Sequence, residues 1–155
     1  MLILFLFFCI FNHVYSFTSK YHYLILPGFG RSSSDYREMK NNMLNIGYKT
    51  SIMHVKRRSW FNKINEKRLQ KKMFLQKCKP ENIYSWYLEQ LTQEIIRINY
   101  ENKNNEKIVL VAHSAGGWLA RDFIGDGLFY YNYQAYNVSR YISGLITLGT
   151  PHERL

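Results

Sequence analysis

The chain has few cysteines, and this scarcity limits how the protein can be stabilised. Of its 155 residues only Cys9 and Cys78 are cysteine, and Cys9 lies in an N-terminal segment that we expect to be removed. A single remaining cysteine forms no internal disulfide, and Cys78 has no neighbour at metal-ligand spacing. Gly28-Phe29-Gly30 also lacks the third glycine of a dinucleotide-binding loop. We therefore predict no disulfide framework, no metal site and no cofactor.

Long hydrophobic runs are also missing beyond the N-terminus, so no mid-chain segment has the length of a membrane-spanning helix. Met1 to Phe11 form an apolar run, and Val14-Tyr15-Ser16 offers small residues at the −3 and −1 positions of a cleavage site. Residues 1–16 are predicted to be a signal peptide, which implies the secretory pathway: the ER, secretion or a signal-dependent organelle. The alternative is an N-terminal membrane anchor.

Acidic residues are outnumbered, and the excess of positive charge is local. The formal net charge is +10. Residues 56–79 carry ten lysines and arginines against the single acid Glu66, which leaves the rest of the chain close to neutral. The segment is interpreted as a basic insertion exposed to solvent, or as a contact with an anionic membrane surface. No recognition motif accompanies the charge, so no nucleic-acid partner is expected, and the oligomeric state is open.

Apolar patterns indicate alternating strands and helices from residue 21 onward. Four runs of strand character, at 21–26, 48–55, 107–111 and 141–148, are separated by segments with the spacing of amphipathic helices. This order is typical of an α/β fold with a parallel sheet and right-handed crossovers. The sequence predicts one domain, with residue 148 ending a strand at a bare sheet edge.

Ser114 stands out because small residues flank it between a predicted strand and a predicted helix. Ala112-His113-Ser114-Ala115-Gly116 follows Lys107 to Val111 and precedes the run from Gly117 to Phe123. Such a tight strand-to-helix turn is the nucleophile elbow, which lifts a serine hydroxyl clear of the sheet edge. The chemistry it indicates is acyl transfer through an acyl-serine intermediate, most simply ester or amide hydrolysis.

The chain resembles the α/β-hydrolase superfamily, in particular the lipase-like branch that includes GPI inositol-deacylases. The matching segments follow one another in family order from residue 21 onward. They are Leu24-Ile25-Leu26-Pro27-Gly28-Phe29, Val55-Lys56-Arg57-Arg58-Ser59-Trp60, Trp86-Tyr87-Leu88, Ala112 through Arg121, and Leu148-Gly149-Thr150-Pro151-His152. The resemblance implies a partial α/β-hydrolase fold over 21–155, a parallel sheet of about four strands with flanking helices, ending after the strand that follows the elbow.

The resemblance also assigns roles by position. Ser114 is implied to be the nucleophile, and the backbone N–H groups of Phe29 and Ala115 are implied to form the oxyanion hole. The residues implied to support the elbow are Ala112, His113, Gly116 and Gly117. Ala112 departs from the usual glycine of the motif. His152 follows the next strand and is a candidate near the site, although a loop-fixing role is the simpler interpretation.

Two functions remain open at this stage. The first is a serine hydrolase of esters, with a lipid as the substrate class that the resemblance implies; the catalytic Asp and His would follow residue 155, as they do in the family. The second is a non-catalytic binding module that kept the elbow but has no base. An acyltransferase would use the same acyl-serine, with an alcohol in place of water. Without a base the 155-residue chain is expected to turn over poorly.

Overall fold

Strands and helices alternate along the chain, as the sequence pattern predicts. The computed structural model describes residues 20–61, 84–102, 106–125 and 138–151. The strands are β1 Tyr21–Leu26, β2 Lys49–Ile52, β3 Lys107–His113 and β4 Ile142–Leu148. The α-helices are α1 Arg37–Asn45, α2 Ser85–Glu101 and α3 Ala115–Ile124, and 3-10 helices cover Ser33–Tyr36 and Val138–Tyr141. Residues 57–61 form one further helical turn.

The four strands form one sheet in the order β2-β1-β3-β4. All three pairings are parallel, which requires a crossover between neighbouring strands. In this register Leu24 lies opposite Leu110, and Ala112 lies opposite both Leu26 and Thr147. The predicted α/β architecture with a parallel sheet of four strands is confirmed. The loops after β1, β3 and β4 consequently meet at the same edge of the sheet.

The core lies on both faces of β1 and β3. On one face Leu24, Leu26 and Leu110 are fully buried against α2 and α3. On the other face Ile25 and Val111 pack with Tyr36 and with the inner side of α1. Burial on both faces explains why these strands are continuous apolar runs rather than alternating ones.

Two details differ from the sequence prediction. The second strand has four residues, Lys49–Ile52, whereas the pattern predicts a strand over 48–55. Met53 and Val55 beyond it are buried, 0% and 2% exposed. Met53 still donates its N–H to the carbonyl oxygen of Ile25 on β1, whereas the Val55 N–H donates to the Ser33 hydroxyl, so the apolar pattern continues past the strand because both side chains pack in the core. The helical spacing of Met39, Met43 and Leu44 also predicts that all three face the core, whereas Leu44 is 44% exposed.

β4 lies at one end of the sheet, with β3 as its partner in the described part of the chain. Its residues alternate between half-buried and exposed, and Ile146 is 46% exposed. None of the helices in the described ranges is long and apolar enough to cross a bilayer. The predicted signal peptide 1–16 and most of the basic segment 56–79 lie outside the described residues, so both stay predictions.

Candidate functional site

Ser114 occupies the turn between β3 and α3. β3 ends at His113 and α3 begins at Ala115, so one residue makes the connection. Its backbone has φ 50° and ψ −125°, and it is the only non-glycine residue with positive φ among the described ones. A residue with a Cβ rarely adopts this conformation, which costs about 1–3 kcal/mol where it occurs. The surrounding contacts must therefore hold the turn in place.

Two hydrogen bonds fix the Ser114 backbone. Its N–H donates to the carbonyl oxygen of Leu148 at the end of β4, at 2.8 Å. Its own carbonyl oxygen accepts the N–H of Gly117 at 3.0 Å. The turn is thus tied both to the neighbouring strand and to the first turn of α3. Ser114 consequently lies at the carboxyl edge of the sheet, where the loops after β1 and β4 also end.

Glycines allow the loop after β1 to approach this turn. A Cβ added to Gly28 would lie 2.8 Å from Nδ1 of His113 and 3.1 Å from Cβ of Ser114. A Cβ added to Gly116 would lie 2.8 Å from the carbonyl oxygen of Pro27. Real side chains essentially never make such contacts. Gly28 and Gly116 therefore allow the β1 loop and the first turn of α3 to come close to each other.

Gly117 likewise allows close packing between α3 and the loop after β4. A Cβ on Gly117 would overlap the side chain of Thr150, with the methyl Cγ2 only 2.8 Å away. Thr150 is 8% exposed, and its hydroxyl has no hydrogen-bond partner among the described residues. Its methyl and hydroxyl groups thus fill the space that a side chain at residue 117 would need.

The loop after β1 is held by two tyrosines. Tyr87 on α2 is buried and donates its hydroxyl to the carbonyl oxygen of Pro27 at 2.8 Å. Tyr36 accepts the N–H of Gly28 at 3.0 Å. Burial raises the pKa of the Tyr87 phenol well above its usual value, so the proton needed for this hydrogen bond stays in place. Both contacts fix the backbone that leads into Phe29.

Phe29 lies at the tip of this loop and is half exposed. Its ring packs edge-on against Trp60 and Phe61, with centroid separations of 5.4 and 5.8 Å. Trp60 is 2% exposed, and its indole N–H donates to the carbonyl oxygen of Arg31 at 2.9 Å. Within the described chain the Phe29 N–H donates to no other group. The N–H of Ala115, as the first residue of α3, has no partner inside the helix.

His113 contacts Tyr36 rather than Ser114. The Tyr36 hydroxyl and Nδ1 of His113 are 2.9 Å apart. Burial raises the pKa of Tyr36, so the phenol keeps its proton while its oxygen accepts the Gly28 N–H. The Tyr36 hydroxyl and Nδ1 share one hydrogen bond, in which the tautomer of the imidazole sets the donor. Gly28, Tyr36 and His113 form one chain of hydrogen bonds beneath the turn.

A comparison with known protein families identifies the domain. The family model of the PGAP1-like alpha/beta domain matches residues 24–154, which include the second half of β1, the other three strands and Ser114. The chain belongs to this family. It is a family of lipase-like α/β hydrolases, so the resemblance drawn from the sequence is confirmed. No curated protein and no solved structure matches the chain significantly.

Within this PGAP1-like domain neither a carboxylate nor an imidazole of the described part hydrogen-bonds the Ser114 hydroxyl, and Nδ1 of His113 is directed to Tyr36. His152 lies outside the described residues, so its suggested proximity to the site stays a prediction. The roles implied for Ser114, Phe29 and Ala115 likewise stay predictions.

The sequence analysis did not identify Tyr36 and Tyr87 as residues that hold the site. Tyr36 and Tyr87 both recur at helical spacing on apolar faces, and that spacing correctly predicts their burial. It carries no signal about their hydroxyl groups, whose partners come from a distant loop. Only the general rule that a buried phenol needs a hydrogen-bond partner could have singled them out.

Replacing Tyr36 with phenylalanine is expected to destabilise the domain by about 1–3 kcal/mol, because Gly28 N–H and His113 Nδ1 both lose a buried partner. The measurement is the urea unfolding midpoint. Tyr48→Phe is the matched control: Tyr48 is 37% exposed and stacks on Tyr23, so its hydroxyl should contribute little. Equal losses in the two variants would contradict the hydrogen-bonding role of Tyr36.

Proposed function

We propose that this chain carries the nucleophile, Ser114, and the oxyanion hole of a serine ester hydrolase. The acid and the histidine of the triad come from outside the described residues. The observation that carries the proposal is the positive-φ backbone of Ser114 in a strand-turn-helix connection of a PGAP1-like domain. A strained turn of this kind is the nucleophile elbow, and strain is retained where the surroundings enforce it.

The oxyanion hole would form from two loops that meet beside Ser114. The N–H of Ala115 begins α3, where the helix dipole favours negative charge. The N–H of Phe29 comes from the β1 loop, whose Gly28 packs against Ser114. Donors fixed before the reaction stabilise the charge that develops on the carbonyl oxygen, by a factor of about 10²–10³ in rate for each donor. The hydrogen bond from the Gly28 N–H to Tyr36 and the one from Tyr87 to the Pro27 carbonyl oxygen keep this loop in position.

The reaction would proceed in two acyl transfers. The Ser114 Oγ attacks the ester carbonyl carbon as its proton passes to the histidine, and the alcohol leaves with that proton. Water then attacks the acyl-serine, releasing the acid and restoring the hydroxyl. Without the base the hydroxyl keeps its high pKa, and triad deletions indicate a loss of about 10⁴–10⁶ in rate. The described residues alone would therefore hydrolyse an ester only slowly.

A non-catalytic binding module is the second candidate. The observation that favours it is the lack of any described acid or imidazole group hydrogen-bonded to Ser114. Such a protein would keep the turn and the β1 loop as a binding surface for an ester or lipid. It would fold normally and show no covalent chemistry at Ser114, which makes the two candidates distinguishable.

Covalent trapping tests the proposal. The intact protein is treated with an alkyl fluorophosphonate, and the modified residue is located by peptide mass mapping. We expect one adduct, on Ser114, because only an activated serine displaces the fluoride. Ser143 on the neighbouring strand β4 is exposed, so Ser143→Ala is the matched control and should label normally. Ser114→Ala should not label.

The outcomes separate the candidates. Labelling of Ser114 together with hydrolysis of a fatty-acyl ester supports the hydrolase. A folded intact protein that neither labels nor hydrolyses the ester supports the binding module. Labelling of another serine would contradict the assignment of the nucleophile.

A further inference from the structure

A cleft opens beside β2, the outer strand of the sheet in the described ranges. None of the residues proposed for ester hydrolysis lines it. Its volume is about 810 Å³. Its walls are α1, the end of β2 with the residues after it, and a side chain from α2. Because β2 ends the sheet, the cleft is open to solvent along that edge.

Positive charge dominates this cleft. Among the described residues six lysines and arginines line it and no carboxylate does: Arg37, Lys40, Lys56, Arg57, Arg58 and Arg97. They come from α1, from the residues after β2 and from α2, so they surround the cleft rather than follow one helix face. Like charges gathered in one place repel one another unless an anion joins them.

Two of the six cations, Arg57 and Arg97, already form ion pairs with carboxylates. Arg57 pairs with Asp35 at 3.0 Å, and the pKa of Asp35 is held below its usual value by the Ser32 N–H and then by Arg57. Arg97 pairs with Glu94 and with Glu101, both at 2.6 Å. These pairs fix the walls, and because Arg97 meets two carboxylates they contribute about one net negative charge.

Four cations remain without an ion-pair partner in the described part of the chain. They are Arg37 and Lys40 on α1, and Lys56 and Arg58 after β2. Only half of this set belongs to the basic segment 56–79, so the cleft is a different feature from that segment. With Asp35, Glu94 and Glu101 counted against the six cations, the net charge is about three positive units, more than a single carboxylate ligand would match.

Serine hydroxyl groups also line the cleft, and hydrogen bonds join the segments that form its walls. Ser32 and Ser34 line it with their Oγ atoms 2.7 Å apart. Ser33 joins the two walls: its N–H donates to the carbonyl oxygen of Val55 at 3.0 Å, and its Oγ accepts the Val55 N–H at 2.9 Å. The cations are thus carried on segments whose backbones are tied together, which limits the ordering that a ligand would have to impose.

We propose that this cleft binds a phosphate group. A phosphate offers several oxygens with up to two negative charges, which suits guanidinium, ammonium and hydroxyl donors arriving from different sides. The inference does not depend on Ser114 being a nucleophile. The phosphate can belong to a lipid headgroup or to a soluble phosphate ester, and binding experiments distinguish these sources.

The test compares two charge-matched variants of the intact protein. Arg37→Gln with Lys40→Gln removes two cations of the cleft on α1, outside the basic segment. Lys20→Gln with Lys107→Gln removes two cations at the amino ends of β1 and β3, on the edge of the sheet opposite the loops. Inorganic pyrophosphate is titrated by calorimetry, and binding to phosphatidylcholine vesicles with and without phosphatidylglycerol is measured by co-sedimentation.

We expect the cleft variant to bind about 25-fold more weakly, because each cation near an anionic surface contributes about 1 kcal/mol, or fivefold. The control variant should bind like the unmodified protein. Binding of pyrophosphate but not of vesicles identifies a soluble ester as the source, and the reverse result identifies a lipid headgroup. The proposal is overturned if neither probe binds, if both variants lose binding equally, or if malonate competes as well as pyrophosphate.

Discussion

Ser114→Gly is expected to stabilise the domain while abolishing hydrolysis. The Ser114 backbone has φ 50° and ψ −125°, a conformation that costs about 1–3 kcal/mol for a residue with a Cβ. Glycine adopts it without this cost, although its freedom in the unfolded chain offsets about 0.5–1 kcal/mol. We expect a net gain of about 1 kcal/mol, or about 2–4 °C in melting temperature.

Ser114→Ala separates the strain from the chemistry. Alanine keeps the Cβ, so the backbone strain and the stability should stay close to those of the unmodified protein. It removes the hydroxyl, so kcat/KM for an ester should fall by about 10⁴–10⁶ in the intact enzyme. Thermal unfolding and ester hydrolysis are measured on both variants and on the unmodified protein.

The outcomes for the glycine and alanine variants test the catalytic role and the backbone strain of Ser114 separately. Retained hydrolysis in the alanine variant would show that Ser114 is not the nucleophile, whatever happens to stability. A glycine variant no more stable than the alanine variant would show that the turn is not strained. A gain in stability without any initial activity to lose would favour the binding module.

The parts of this fold that the sequence predicts are those set by local patterns. β1 and β3 are buried on both faces, so their apolar runs are easy to recognise. α2 shows a clear apolar stripe, and Ser114 is marked by the small residues around it. The sequence predicts the end of β2 and the inner face of α1 less accurately. The positions of Met53, Val55 and Leu44 depend on packing between distant segments, which local patterns do not encode.

The contacts that join distant segments were not predictable. Tyr36 and His113 are 77 residues apart, and Tyr87 reaches Pro27 across 60. The basic cleft shows the same limit: charge along the chain points to 56–79, whereas the fold brings Arg37 and Lys40 from α1 to the same place. Composition reports how much charge a segment has, and only the fold reports where that charge gathers.

Gly116→Ala is expected to lower stability by about 1–3 kcal/mol, the usual cost of inserting a methyl group into a close-packed site. The new Cβ would lie 2.8 Å from the Pro27 carbonyl oxygen and 3.0 Å from that of Leu26. Both are backbone atoms of the sheet and its loop, so they cannot rotate away. The Tyr87 hydroxyl, 2.9 Å from the new Cβ, would also be displaced from its hydrogen bond to Pro27.

Helix propensity alone predicts the opposite sign. In an unconstrained helix, alanine is more favourable than glycine by about 1 kcal/mol, so a loss of stability at residue 116 measures the close approach of α3 to the β1 loop. Gly144→Ala is the matched control, because nothing lies within 4 Å of its added Cβ on β4, and it should be neutral or slightly stabilising. The urea unfolding midpoints of the two variants are compared. Equal stability of both would mean that the β1 loop yields easily, and a loop that yields could not hold the Phe29 N–H ready for an oxyanion.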